Sequence, residues 1–62
     1  MSNLNTQPNI HSADNFYAEL LAAHEGKSKA ESDAFNARLI LILANHVGDH
    51  EVLSEALEIA DK

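Results

Sequence analysis

Apolar residues recur every three or four positions in three segments of the chain, which is the spacing of one face of an α-helix. We predict helices over residues 13–25, 29–47 and 50–60. The first and third helices have one apolar and one polar side, as amphipathic helices do. Their apolar sides are formed by Phe16, Tyr17, Leu20, Leu21, Ala23 and His24, and by Val52, Leu53, Ala56, Leu57, Ile59 and Ala60.

Each predicted helix begins at a residue that suits an N-cap. Ser12 and Asp49 precede the first and third helices, and their side-chain oxygens are able to accept bonds from free backbone N–H groups. The second start is more specific, because Ser28 and Glu31 have the spacing of a capping box.

Glycines mark the ends of the first two helices, at Gly26 and Gly48. The short connections that follow predict antiparallel neighbours. We therefore expect an all-α fold, a helical hairpin extended to a small three-helix unit that oligomerises through its central helix. Residues 1–11 are rich in Asn, Gln, Ser and Thr and are predicted to form a flexible tail.

The central helix has more apolar surface than two short neighbours are able to cover. A helix that is apolar nearly all round should be buried nearly all round, and an uncovered patch of several hundred Å² in general marks an interaction site. One side of this helix is a seam of mostly small residues, Ala30, Ala34, Ala37, Leu41 and Ala44. The opposite side carries Phe35, Leu39, Ile42 and His46, and the arc between the two sides is filled by Ile40, Leu43 and Val47. Only a narrow polar stripe remains, formed by Glu31, Arg38 and Asn45.

This surplus predicts a partner-binding surface on the central helix. Arg38 has no acid four residues away, so it pairs either with an acid of another helix, or with solvent, or with a partner across the interface. Residues from His46 to Asp49 have a second possible role, which is to end the second helix and form the turn to the third. The candidate partner-binding residues are Phe35, Arg38, Leu39, Ile42, Asn45 and His46.

Three histidines raise the alternative of a metal site. His46 and His50 lie four residues apart with Asp49 beside them, and His24 is able to approach from the end of the first helix. However, Gly48 interrupts the spacing of His46 and His50, so their rings need not face the same way. We favour a structural role for each ring, with His24 hydrogen-bonded at the end of the bundle, and expect no metal or other cofactor.

The amino-acid composition and the length of the chain exclude several classes of function. Ten acids and four bases give a net charge of −6, which disfavours nucleic acid and anionic membranes as partners. The chain has no cysteine, no Gly-rich phosphate loop, and no apolar run long enough to span a bilayer. A chain of 62 residues is also too small to enclose a usual substrate pocket. We expect a cytoplasmic protein that is not an enzyme.

The stretches NFYAELLAAHEG and Asn36-Ala37-Arg38-Leu39, with Leu43 to Asp49, resemble a small family of uncharacterised bacterial proteins classed as a domain of unknown function. The resemblance covers about residues 14–60, and its most specific part is a NARLxLxLANHxGD-like motif. Members of the family that this chain resembles are often encoded near flavin-dependent monooxygenases or other aromatic-degradation enzymes of proteobacteria. The resemblance implies an accessory role beside such an enzyme.

Together these features predict a helical protein–protein interaction module that binds itself, as a homodimer or higher oligomer, or stabilises a larger enzyme. The alternative is a carrier of a small ligand or metal that uses histidines at a helix end or a dimer interface.

Overall fold

The computed structural model describes residues 4–62, and within that range it contains three α-helices and no strand. The helices are α1 (Ala13–His24), α2 (Lys29–Val47) and α3 (His50–Ala60). The predicted all-α three-helix fold is confirmed, and α1 ends one residue before its predicted end. Residues 4–12 precede α1 without helix or strand. The predicted flexible tail over residues 1–11 lies partly outside the described residues.

The capping box predicted at the start of α2 is present. The Ser28 hydroxyl accepts a bond from the Glu31 backbone N–H at 3.2 Å, and the Glu31 carboxylate accepts one from the Ser28 N–H at 2.8 Å. At the start of α3, Asp49 Oδ1 accepts from the N–H groups of Glu51 and Val52 at 3.0 and 3.4 Å. Because helix starts leave N–H groups without partners, these bonds fix where both helices begin.

The prediction that the Ser12 side chain caps α1 is wrong. Ser12 occupies the N-cap position, and its carbonyl accepts a bond from the Phe16 N–H at 3.0 Å, but its side chain makes no capping bond. The backbone of Ser12 is left-handed, with φ at 55°. A capping side chain needs an extended backbone to point back toward the first turn, so this conformation removes the cap.

Two glycines in left-handed conformation shape the connections between the helices. Gly26 has φ at 76° and Gly48 has φ at 74°, a region that glycine adopts without strain from a Cβ atom. Gly48 also closes α2, because its N–H donates to the Ala44 carbonyl at 2.9 Å. The connection from α2 to α3 is therefore only two residues long, which holds these helices as a hairpin.

The three helices do not enclose a core. Within residues 4–62, no residue is buried, and the chain measures 41 × 25 × 23 Å. The apolar sides of α1 and α3 therefore remain uncovered in a single copy, since Tyr17 is 61% exposed and Leu57 is 73% exposed. Helices of 12 and 11 residues are too short to cover the 19-residue α2 and each other.

Among the residues described, no helix combines the length and the apolar character that crossing a bilayer requires.

Candidate functional site

The central part of α2 exposes apolar side chains in three directions. Ile40, Leu41 and Ile42 are consecutive, so their side chains leave the helix about 100° apart, and they are 63%, 70% and 64% exposed. Leu43 is also exposed. The predicted surplus of apolar surface on the central helix is thus confirmed for the isolated chain. A surface of this kind is typical of a binding site rather than of the outside of a monomer.

A continuous apolar surface lies between α2 and α3. The two helices line an open groove of about 540 Å³, which we call the α2–α3 groove. All its lining side chains are aliphatic. They are Ile40, Leu43, Ala44 and Val47 from α2, and Leu53, Ala56, Leu57 and Ala60 from α3.

The predicted partner-binding residues lie on two sides of α2. Arg38, Ile42 and Asn45 follow the i, i+4, i+7 spacing of one helix face, and all three are exposed. We call this face the outer face of α2. Arg38 forms no hydrogen bond or ion pair with the residues described, which leaves its guanidinium free to meet a partner.

The other predicted residues lie on a second face of α2, of which Phe35 meets His24 of α1. Phe35 and Leu39 are half-buried, and His46 is exposed at the end of α2. The structure therefore does not bring the six predicted residues together as one patch, because positions 35, 39 and 46 follow a second face of the same helix.

Phe35 belongs to a small polar–aromatic cluster that joins α1 to α2. His24 Nδ1 lies 2.9 Å from Ser32 Oγ, and the His24 ring meets the Phe35 ring edge-to-face with centroids 5.1 Å apart. The Lys27 ammonium lies 5.2 Å from the Phe35 ring centroid and donates a hydrogen bond to the Ala23 carbonyl. We call His24, Lys27, Ser32 and Phe35 the α1–α2 junction. The predicted structural hydrogen bond of His24 is confirmed here.

The histidines of the alternative metal site occupy separate environments. His24 bonds to Ser32 at the junction, and His50 Nε2 lies 3.4 Å from Ser54 Oγ within α3. In the described part of the chain, no three His, Cys, Asp or Glu side chains come together in a group able to hold a metal ion. Nor does His46 share a hydrogen bond with either of the other two rings.

Charge is arranged on the side of α3 that faces away from the α2–α3 groove. Glu51, Glu55 and Glu58 follow the i, i+4, i+7 spacing, and this row lies opposite Leu53 and Ala60 on the helix. Both walls of the groove are thus uncharged, and the acidic row lies on the opposite side of α3.

At the start of α2, hydrogen bonding stabilises one carboxylate. The backbone N–H of Ser28 and then its hydroxyl hold the pKa of Glu31 below its ordinary value, with Lys27 adding a smaller electrostatic contribution. Hydrogen bonds to the charged form of an acid always act in this direction. The capping box therefore stabilises the charged form of Glu31.

The sequence reasoning missed the contribution of α3 to the exposed apolar surface. The sequence places Leu53 and Leu57 on the apolar side of the third helix, and in the structure they line an open groove. Their spacing identified the apolar side correctly, and only the structure reveals that this side lacks a cover.

Comparison with known proteins gives a family but no relative of known function. No curated protein and no solved structure matches the chain. A family model described as a protein of unknown function, DUF2783, matches residues 4–62. Because the match includes all three helices and most of the chain, this protein belongs to the DUF2783 family.

Proposed function

We propose that this protein is a non-enzymatic helical interaction module of the cytoplasm, which acts by docking its exposed apolar surfaces against protein. One observation carries the proposal: no residue within 4–62 is buried, while large apolar side chains are exposed on every helix. Burial of apolar area contributes about 25 cal/mol per Å². Burial of this surface against another protein is therefore the largest favourable contribution to binding that the chain is able to make.

The chemistry of the surface supports binding rather than catalysis. The α2–α3 groove offers only aliphatic side chains, without a nucleophile or a titratable group. An active site needs such groups in reach of a reacting atom. A docking surface needs none.

The outer face of α2 is the second part of the proposed docking surface. A partner that covers Ile42 would also meet Arg38, and a carboxylate on that partner would pair with the guanidinium. Such charged pairs fix orientation and specificity more than affinity. The proposed role is that of an accessory subunit that stabilises a larger enzyme, and the resemblance noted above nominates a flavin-dependent monooxygenase.

The test uses the affinity-tagged 62-residue chain and a purified flavin-dependent monooxygenase from the same organism. We expect binding by calorimetry, and we expect Ile42→Glu to weaken it at least tenfold while circular dichroism retains the helical signal. Ile10→Glu is the matched control, because Ile10 is equally exposed but precedes the helices. Absence of binding to the wild-type chain would contradict the accessory role. Equal binding of Ile42→Glu and Ile10→Glu would contradict the outer face of α2 as the binding site.

A further inference from the structure

We infer that the α2–α3 groove is filled by a second copy of this chain, so that two α2–α3 hairpins enclose one shared core. The inference rests on the proposed function and names the partner of one of its surfaces. Three independent features favour a second copy: the area that the chain leaves exposed, the shape and chemistry of the groove, and the position of the acids.

The exposed area is that of a subunit rather than of a monomer. A folded monomer of 6.8 kDa is expected to expose about 4,000 Å². This chain exposes 5499 Å². The difference is roughly 1,500 Å², part of it on residues 4–12, and obligate homodimers hide about 1,000 Å² or more on each chain. An interface of that class would bring the chain to the exposure of a compact protein.

The groove has the surface of a helix-binding site. Small-molecule pockets carry a few polar groups that orient the ligand, whereas all eight side chains that line this groove are aliphatic. Ile40, Leu43 and Leu57 are large, and Ala44 and Ala56 leave hollows between them. In a two-fold symmetric interface the same surface of both copies is in contact. Large side chains of one copy are then able to pack into the hollows beside the alanines of the other copy.

The acids permit two chains of the same net charge to meet at this groove. Each chain carries a formal charge of −6, so repulsion opposes any contact between acidic surfaces. Glu51, Glu55 and Glu58 lie on the far side of α3, and groove-to-groove packing would direct these two rows outward. A basic partner would be drawn to the acidic row, which leaves the uncharged groove to a second copy.

The first experiment measures the mass of the purified 62-residue chain by sedimentation and light scattering. We expect twice 6.8 kDa at micromolar concentration. Leu57→Glu places a charge in the groove and should raise the dimer Kd at least tenfold. Leu41→Glu is the matched control, since Leu41 is an equally exposed helical leucine outside the groove, and its Kd should remain within a factor of three.

The second experiment does not depend on a destabilising charge. Because the chain has no cysteine, a single introduced cysteine forms a disulfide only with another chain. Mild oxidation should convert Leu57→Cys to a covalent dimer many times faster than Leu41→Cys.

Outcomes separate this inference from the proposed function. A wild-type chain that stays at 6.8 kDa, or equal cross-linking of both cysteine variants, overturns the second copy. If that monomer still binds the monooxygenase, the interaction module stands with a different occupant. If it binds neither itself nor the enzyme, both proposals fail.

Discussion

His24 Nδ1 and Ser32 Oγ lie 2.9 Å apart, and this hydrogen bond joins the last residue of α1 to the first turn of α2. It is a half-buried polar contact in a chain whose apolar contacts enclose no core. The orientation of α1 therefore depends strongly on this bond and on the Phe35 ring against which His24 packs.

A double-mutant cycle on His24 and Ser32 tests this dependence. We expect a coupling free energy of about 0.5–1.5 kcal/mol between His24→Ala and Ser32→Ala, the usual net value of a hydrogen bond in a protein. Urea unfolding gives the change in the free energy of unfolding for each single variant and for the double variant. All chains are measured at one fixed concentration, because association changes apparent stability. Strictly additive losses would mean that the two side chains do not act as a pair.

Removing the α2 cap should destabilise the fold. Ser28→Ala loses the hydroxyl that accepts the Glu31 N–H, and we expect the free energy of unfolding to fall by about 1 kcal/mol. Ser12→Ala is the matched control, because Ser12 also sits at an N-cap position but makes no side-chain cap. We expect its effect to stay within about 0.5 kcal/mol. Equal losses in the two variants would argue against the capping box as the cause.

The same capping box predicts how stability changes with pH. The pKa of Glu31 is lowered in the folded chain, so its contribution is fully present above the unfolded pKa and is lost as pH falls through the folded pKa. We expect Glu31→Gln to lose this part of the acid dependence. Ser28→Ala should lose only the smaller part that the hydroxyl contributes, since the backbone N–H of residue 28, the larger cause of the lowered pKa of Glu31, is retained in alanine.

Unfolding curves recorded at steps below pH 5 make this comparison. Identical acid dependence in wild type and Glu31→Gln would contradict the assignment.

The turn between α2 and α3 depends on the backbone of Gly48. A Cβ atom there would have Asn45 O as its nearest neighbour, 3.8 Å away, so space is sufficient. The φ of 74° is nevertheless unfavourable for alanine, and we expect Gly48→Ala to destabilise the chain by about 1–2 kcal/mol. Gly48→Asn should lose less, because asparagine adopts this region more readily. Thermal unfolding of wild type and both variants measures these losses. Equal stability of Gly48→Ala and wild type would contradict the role of the Gly48 backbone.

The helices could be predicted because their signals are local. The Ser28–Glu31 spacing and the position of Gly48 lie within one or two turns of the ends that they define, and both features are present in the structure. The Ser12 side chain was wrongly predicted to cap α1, because a left-handed backbone at a serine is not indicated by residue type.

The covering of apolar faces could not be predicted from periodicity alone. The spacing of Leu53 and Leu57 shows which side of α3 is apolar, but the partner of that side depends on where α2 lies and on how many chains assemble. The surplus on α2 was visible in the sequence because it required only a comparison of lengths. The open groove beside α3 was not, since it required the position of both helices.

The central claim is that one copy of this chain does not enclose a core of its own. Thermal unfolding followed by circular dichroism, at a concentration where sedimentation gives 6.8 kDa, tests it most directly. We predict a broad, non-cooperative loss of helix at that concentration, and a sharp transition only where the mass is higher or a protein partner is bound. A 6.8 kDa species that unfolds in a sharp cooperative transition on its own would contradict the claim.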